Sequence, residues 1–338
     1  MSETRPLRIG ILGAARIAPM ALLRPAREVA EAEVVALAAR DPQRAAAFAR
    51  KHAIPHVHAS YAELLADPEI DAVYNPLPNS HHCRWTLEAL EAGKDVLCEK
   101  PLAANAREAA RMAETAEKTG RNLVEAFHYR YHPLAARLQE IVRSGELGSV
   151  RHIEASLCVP LLRPRDIRFD PKLAGGAGMD VGCYVVNLVR FLAGAEPEVV
   201  RAEARLARPG VDRWIQGSLS FEDGRTGRVT ASLFSTALLR LEARVRGDAG
   251  ELRVTNPFLP QLYHRLRVRT PRGTRTEVLR GDASYTHQLR SFVKAVRAGA
   301  ALPTDGRDGV ANMKVIDALY EAAGLSPRGL QAEPAAIG

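Results

Sequence analysis

Three stretches of this sequence hold residue types that suit proton and cofactor chemistry. Lys100 follows a short apolar run at 96–98 and precedes Pro101, so its ammonium leaves the end of a strand-like segment. Asp180 and Tyr184 are four apart at the head of a helix-patterned segment, 178–193, and so project from one face. A tyrosine with an unperturbed pKa of about 10 is a poor base by itself. A neighbouring ammonium favours the phenolate and brings it into working range. Taken alone, Lys100 also reads as an exposed lysine before a helix-opening proline, Asp180 as an N-cap or first-turn acid and Tyr184 as a core tyrosine. The chemistry they suit together is a relay with Tyr184 as acid/base, Lys100 orienting the oxygen and favouring the phenolate, and Asp180 fixing geometry.

The third stretch is GILGAARIA, residues 10–18, where the first strand pattern gives way to a helix pattern at 16–30. A dinucleotide fold needs very small residues at that corner, because the backbone must turn tightly and approach a pyrophosphate at the helix N-terminus. Gly13 supplies the turn, with Ala14, Ala15, Arg16 and Ile17 in the loop. Ala15 and Ala18 stand where GxGxxG has further glycines, and plain packing would also account for small residues here. The second strand ends Arg40-Asp41-Pro42. An acid at this point commonly binds the ribose 2′-hydroxyl of NAD, whereas an arginine suits the 2′-phosphate of NADP. Asp41 before Pro42 reads more simply as a helix N-cap, leaving Arg40 for the phosphate.

These residues need a scaffold, and the periodicities supply one. Strand-like runs at 7–12, 34–38, 72–74, 96–98 and 123–124 alternate with helical patterns at 42–52, 79–92 and 105–120. Short buried strands alternating with helices predict a parallel sheet covered on both faces. After residue 125 the pattern changes. Helices are expected at 133–144 and 178–193, a strand at 150–159, and strands joined by tight turns from 198 to 280. Helices near 285–298 and 308–323 follow, and QAEPAAIG reads as a frayed tail. The predicted class is α/β, with a Rossmann domain over 1–125 and an α+β domain over 126–338 built on a large, mostly antiparallel sheet. Leu219, Phe221, Val229 and Leu233 are expected on a sheet face that no later helix covers, which predicts a sheet-to-sheet homodimer or a dimer of dimers.

Composition removes several alternatives. At 46% hydrophobic and 25% charged, the chain reads as an ordinary globular protein. The start MSETRPLRIG has no apolar leader and no membrane span is evident, so a soluble cytoplasmic protein is expected. Cys83, Cys98, Cys158 and Cys183 are too few and scattered for a disulfide framework or a zinc site. His56, His58, His81 and His82 lack a third ligand at useful spacing, so no metal is expected. The net charge of +8 raises nucleic acid as a partner, but Arg is spread along the chain. Its densest run, 264–280, alternates like a solvated hairpin.

With GILGAARIA before it and GGAGMDVGCY after it, Cys98-Glu99-Lys100-Pro101 carries a resemblance over nearly the whole chain. The sequence resembles the glucose-fructose oxidoreductase/inositol dehydrogenase (Gfo/Idh/MocA) family, especially its NADP-dependent dihydrodiol and pentose dehydrogenase branches. The resemblance implies a cis bond before Pro101 that turns Lys100 into the cleft. It implies that Pro76, Leu77, Asn79, His82, Glu99 and Arg130 line the cofactor side, with Glu125 and Arg130 near nicotinamide or substrate or in a structural ion pair. Many family members have His where this chain has Tyr184, so the proton is carried here by a phenol. Arg163, Arg165, Asp166 and Arg168 precede the glycine-rich anchor and could meet sugar hydroxyls or simply be solvated, with Arg168 the substrate-binding candidate.

The reading is a hydride-transferring dehydrogenase using NADP(H), with NAD(H) open, and taking a sugar, cyclic polyol or related diol as its small-molecule partner. Two alternatives stand beside it: an NAD-dependent glycosidase working by transient oxidation, and a non-catalytic dinucleotide-sensing regulator.

Overall fold

The computed structural model describes residues 5–163 and 166–329. Arg165 and the terminal QAEPAAIG lie outside the described residues. Packing divides the chain into two units, one of 1–103, 107–132 and 281–310, the other of 104–106, 133–280 and 311–338. The sequence division at 125/126 differs in grouping 281–310 with the later residues.

The first unit is a six-stranded parallel sheet. Its strands are β1 Leu7–Leu12, β2 Ala32–Ala38, β3 His56–His58, β4 Ala72–Asn75, β5 Asp95–Cys98 and β6 Leu123–Glu125, in the order β3-β2-β1-β4-β5-β6. This doubly wound order places ligands at the carboxyl edge, where the strand order reverses beside β1 and β4. Helices α1 Arg24–Glu28, α2 Pro42–His52, α3 Tyr61–Ala66, α4 Asn79–Glu91 and α5 Ala106–Thr119 link the strands. The buried side chains of Leu7, Ile9, Ile11 and Tyr74 pack with Tyr285, Leu289 and Phe292, so a late segment completes an early core.

The second unit opens with α6 Pro133–Arg143, β7 Val150–Cys158 and α7 Cys183–Ala193. Strands β8 Glu198–Arg208, β9 Val211–Ser220, β10 Thr226–Ser232, β11 Arg240–Gly247, β12 Glu251–Thr255, β13 Arg265–Thr270 and β14 Gly273–Glu277 follow. With β7 they form an eight-stranded sheet, order β14-β13-β12-β11-β7-β10-β9-β8, in which β10 and β7 run parallel and the other pairs antiparallel. The last helices are α8 Ser284–Ala298 and α9 Gly306–Ala322. No helix among the described residues is long and apolar enough to cross a membrane.

One expectation about this sheet is overturned. Leu219, Phe221, Val229 and Leu233 are 1–5% exposed within the single chain. Their face is covered by α7, which lies on β7 and β10, and by α9, whose Leu319 fills the space a side chain would take at Gly217. Alternation marks two faces but does not say which one receives the helices. The opposite face is polar. Arg228, Glu154, Arg244, Arg253 and Arg267 are in register across five strands, and Arg244 pairs with Glu154 at 3.6 Å and with Glu251 at 3.2 Å.

Candidate active site

The glycine-rich corner turns as a dinucleotide loop must. Gly13 has φ +94°, a left-handed conformation that disfavours any side chain. Its N–H donates to the Ala38 carbonyl at 2.6 Å, and a Cβ there would lie 3.0 Å from Leu77. The regular helix begins later than residue 16. Pro19–Leu23 forms a π-turn that continues into α1, because Pro19 can open a helical segment but cannot donate within one.

Asp41 is the N-cap of α2, its Oδ1 accepting from the Gln43 and Arg44 amides at 3.0 and 3.1 Å. That carboxylate is committed to the helix, while Arg40 is exposed. The Tyr61 phenol comes to the same corner. Burial pushes its pKa up, and the backbone bond from Arg40 and the charges of Arg40 and Arg44 pull it back. Neither Tyr61 nor Arg44 was singled out by the sequence patterns, since their approach depends on how β2, α2 and α3 fold together.

Lys100 stands among titratable groups. The Tyr74 hydroxyl donates to Glu99 Oε1 at 2.7 Å, and the Glu99 amide donates to the Asn75 carbonyl at 3.0 Å. The Lys100–Pro101 peptide is cis. Beyond it, the Leu102 amide donates to Glu125 Oε1 at 2.8 Å, so buried Glu125 holds the backbone that carries Lys100. Arg130 pairs with Asp308 at 3.8 Å, a structural partner in the same unit.

His82 ties the loops together: its Nδ1 faces the Pro101 carbonyl at 2.9 Å and its Nε2 the Leu77 carbonyl at 2.7 Å. Its amide neighbour Asn75 donates to the His82 carbonyl and to Thr86. Pro76, Leu77 and Asn79 occupy the link from β4 into α4. His128 stacks on Tyr285 at 3.9 Å between centroids, with Nδ1 2.7 Å from the Ser284 hydroxyl.

Burial holds His82 down to about 4, against the two carbonyls, with Lys100 and His81 adding to the depression. Burial, Lys100 and His132 hold His128 down to about 3. Both depressed values sit below the ordinary 6.5, so between pH 6.5 and about 4 the unfolded chain binds protons that the fold refuses. Stability is therefore lost as pH falls through that window, by about 1.4 kcal/mol per pH unit for each histidine. Urea midpoints at pH 7, 6, 5 and 4.5 should fall accordingly, and His128→Gln should make the decline shallower. A flat profile would show that these imidazoles charge freely in the fold.

The remaining candidates lie in the second unit. Gly178–Gly182 is a π-turn running directly into α7, so Asp180 sits in the turn and Tyr184 in the first turn of the helix. Such turns are rare and concentrate at functional sites. Arg168 Nε pairs with Asp180 Oδ2 at 2.9 Å, and its Nη1 meets Asp166 at 3.2 Å. Gly175 lets this loop close, since a Cβ there would be 2.5 Å from the Arg168 carbonyl. The half-buried Tyr184 ring meets Phe258 edge-on at 5.8 Å. Thus Arg168, Asp180 and Tyr184 gather on one unit, and Glu99, Lys100 and His82 on the other. Among the described residues no group of three or more His, Cys, Asp or Glu side chains could hold a metal.

Comparison with known proteins gives the family. Residues 7–127 match a family model described as an oxidoreductase family with an NAD-binding Rossmann fold, and residues 135–253 match the GFO/IDH/MocA C-terminal domain. A D-xylose 1-dehydrogenase (NADP(+)) from Haloferax volcanii is 39% identical, covering 94% of this chain and 97% of its own. A trans-1,2-dihydrobenzene-1,2-diol dehydrogenase from Xenopus tropicalis is 35% identical over 66% of this chain and 67% of its own. A 3-ketoreductase from Actinomadura kijaniata, solved with NADP and TDP-benzene, superposes with TM-score 0.87 at 28% identity, covering 94% and 98% of the two chains. Together these place the chain in the Gfo/Idh/MocA family of oxidoreductases.

Proposed function

We propose that this enzyme is an NADP-dependent dehydrogenase that oxidises a hydroxyl-bearing carbon of a sugar, with D-xylose the first substrate to test. The observation that carries the reading is Lys100, delivered by β5 to the carboxyl edge of the parallel sheet among Glu99, His82 and His128. The residues present fit the nicotinamide cofactor. Gly13 turns the loop without a side chain, and Ala14, Ala15, Arg16 and Ile17 follow it toward the π-turn. Bound NADP+ supplies the hydride acceptor. The protein's part is to orient the hydroxyl with Lys100, remove its proton at the Tyr184 oxygen, and hold that region with Asp180 and Arg168. The similarity to a D-xylose 1-dehydrogenase directs attention to the anomeric carbon.

The test is reduction of NADP+, followed by nicotinamide absorbance, across aldoses, cyclitols and vicinal diols. Turnover of a glycoside without net reduction of added NADP+ would establish the glycosidase alternative. Nucleotide binding without turnover of any of these compounds would favour the regulator.

Cofactor choice follows from the end of β2. With Asp41 occupied as an N-cap, Arg40 is available to a 2′-phosphate, a charge-assisted contact of about 1.5–3 kcal/mol. NADPH should therefore bind roughly ten- to a hundredfold more tightly than NADH. Arg40→Ala should remove most of that preference and leave NADH affinity nearly unchanged, as read by nicotinamide fluorescence. Any preference that persists belongs to Arg44, whose charge acts at the same corner. A wild-type preference for NADH would reverse the assignment of this corner.

A cytoplasmic homodimer completes the proposal. The apolar face of the large sheet is already covered, so the second copy packs on the polar face, where rows of Arg and Glu offer complementary charges. Light scattering at micromolar concentration should give twice the chain mass, and added salt should weaken the association because exposed charges are screened. A monomer mass at low salt would refute it.

A further inference from the structure

The second unit contains a buried charged cluster that the proposed chemistry does not use. Asp212, at the start of β9, is 0% exposed, and both of its carboxylate oxygens are engaged. Oδ1 accepts from Arg328 Nη2 at 2.6 Å and from the Tyr320 hydroxyl at 3.0 Å. Oδ2 accepts from the backbone N–H of Gly178 at 2.7 Å. The Arg328 guanidinium also covers the Tyr320 ring at 4.2 Å and donates to the Gly210 carbonyl. Burial and the adjacent carboxylate keep the Tyr320 hydroxyl protonated, so it is a donor here.

Two glycines show how closely this cluster approaches the loop. At Gly176, with φ +137°, a Cβ would lie 2.1 Å from Asp212 Oδ1, and at Gly178 it would lie 2.6 Å from the Tyr320 hydroxyl. The residue whose amide Asp212 holds is the first of the π-turn that carries Asp180 and leads to Tyr184. A π-turn contains one residue more than an α-turn, and a bond from outside to its first amide fixes where that extra residue sits. Removing that residue from the turn would swing Asp180 by about 100° around the helix axis relative to Tyr184. The anchor also reaches the segment after Lys100: Asn105, in the same unit, donates to the Arg328 carbonyl at 2.8 Å.

We propose that Asp212, braced by Tyr320 and Arg328, is a positioning residue for the oxidation: it holds the Gly178 amide so that the π-turn presents Asp180 and Tyr184 in their working geometry. This rests on the reading of Tyr184 as the acid/base. Tyr320→Phe removes one donor to Asp212 while keeping the ring under Arg328, which makes it a mild probe that folds.

The experiment measures kcat, KM and the kcat–pH profile with NADP+ and D-xylose, or the sugar turned over fastest in the panel above. Tyr320→Phe is compared in the wild-type and Tyr184→Phe backgrounds. The expected result is a loss in kcat of about tenfold with KM and NADPH affinity within about twofold, because misplacement acts on the reacting geometry. The acid limb of the profile, on which activity rises as the base loses its proton, should shift, and in the Tyr184→Phe background Tyr320→Phe should cost nothing more, because it acts through the missing hydroxyl. Asp212→Asn should lower kcat further, together with the melting temperature. Wild-type kcat in Tyr320→Phe with only a lower melting temperature overturns the proposal, as do two losses that multiply. Full turnover in Tyr184→Phe alone overturns the acid/base reading instead, and is seen in a separate variant.

Discussion

Tyr184→Phe should lower turnover by on the order of a hundredfold or more, the range for losing a general acid/base, while NADPH affinity should stay within about a factor of two. An alcohol gives up hydride readily only as its proton leaves, so a base must be within hydrogen-bond reach of the oxygen. The substitution keeps the ring and its edge-on contact with Phe258 and removes only the hydroxyl. The fold around α7 should therefore survive, and the melting temperature should move little. Asp180→Asn should be milder, since the amide can still accept from Arg168 across the 2.9 Å contact. Steady-state kinetics with NADP+ and the preferred sugar checks both. Near-wild-type turnover in Tyr184→Phe would move the role elsewhere, and His128 in the 128–132 segment is a poor heir. It is buried, held down to about 3, and turned toward Ser284, so it stays neutral across the working range. Lys100 would then be the remaining base.

Much of the scaffold was legible because its strands are short apolar runs alternating with helix-patterned segments. Leu7–Leu12 and Pro42–His52 match their sequence patterns residue for residue, and Asp41 caps the helix as its place before Pro42 implies. The misses have physical reasons. His56–His58 is a three-residue His-Val-His strand with His56 and Val57 exposed, too short and with too little buried apolar content to register as a period. The π-turns at Pro19–Leu23 and Gly178–Gly182 differ from α-helix by one residue, which a hydrophobic pattern does not resolve. The face assigned to Leu219 and Val229 was wrong because period-2 alternation carries no sign. The site divides along the same line. Asp180 and Tyr184 share a helix face by spacing, and Lys100 stands out by the family resemblance of Glu99-Lys100-Pro101, whereas Tyr61, Tyr285 and the Asp212–Tyr320–Arg328 cluster come from segments far apart in sequence. Arg130 illustrates the limit from the other side, since its partner Asp308 lies 178 positions along the chain, beyond any local pattern.

Lys100→Met should be at least as damaging to turnover as Tyr184→Phe, by a hundredfold or more, because the proposed function asks one ammonium both to orient the substrate oxygen and to favour the phenolate. Methionine keeps the length and loses the charge, so the Glu125 bond to the Leu102 amide has no reason to break. The structure adds a second consequence that needs no substrate. The Lys100 charge helps hold both His82 and His128 in the neutral form, after burial, which is the larger cause in each. Removing it should raise both imidazole pKa values toward 6.5, which imidazole proton resonances in the cofactor-free protein would report. The sign carries over to stability. A smaller depression narrows the gap between folded and unfolded values, so Lys100→Met should lose less stability than wild type between pH 6.5 and 4. A variant catalytically dead yet flatter in its acid profile is the signature of a charge acting on its surroundings. Unchanged imidazole resonances would place the Lys100 ammonium away from the histidines, and with them from the cofactor edge that His82 helps to build through Leu77 and Pro101.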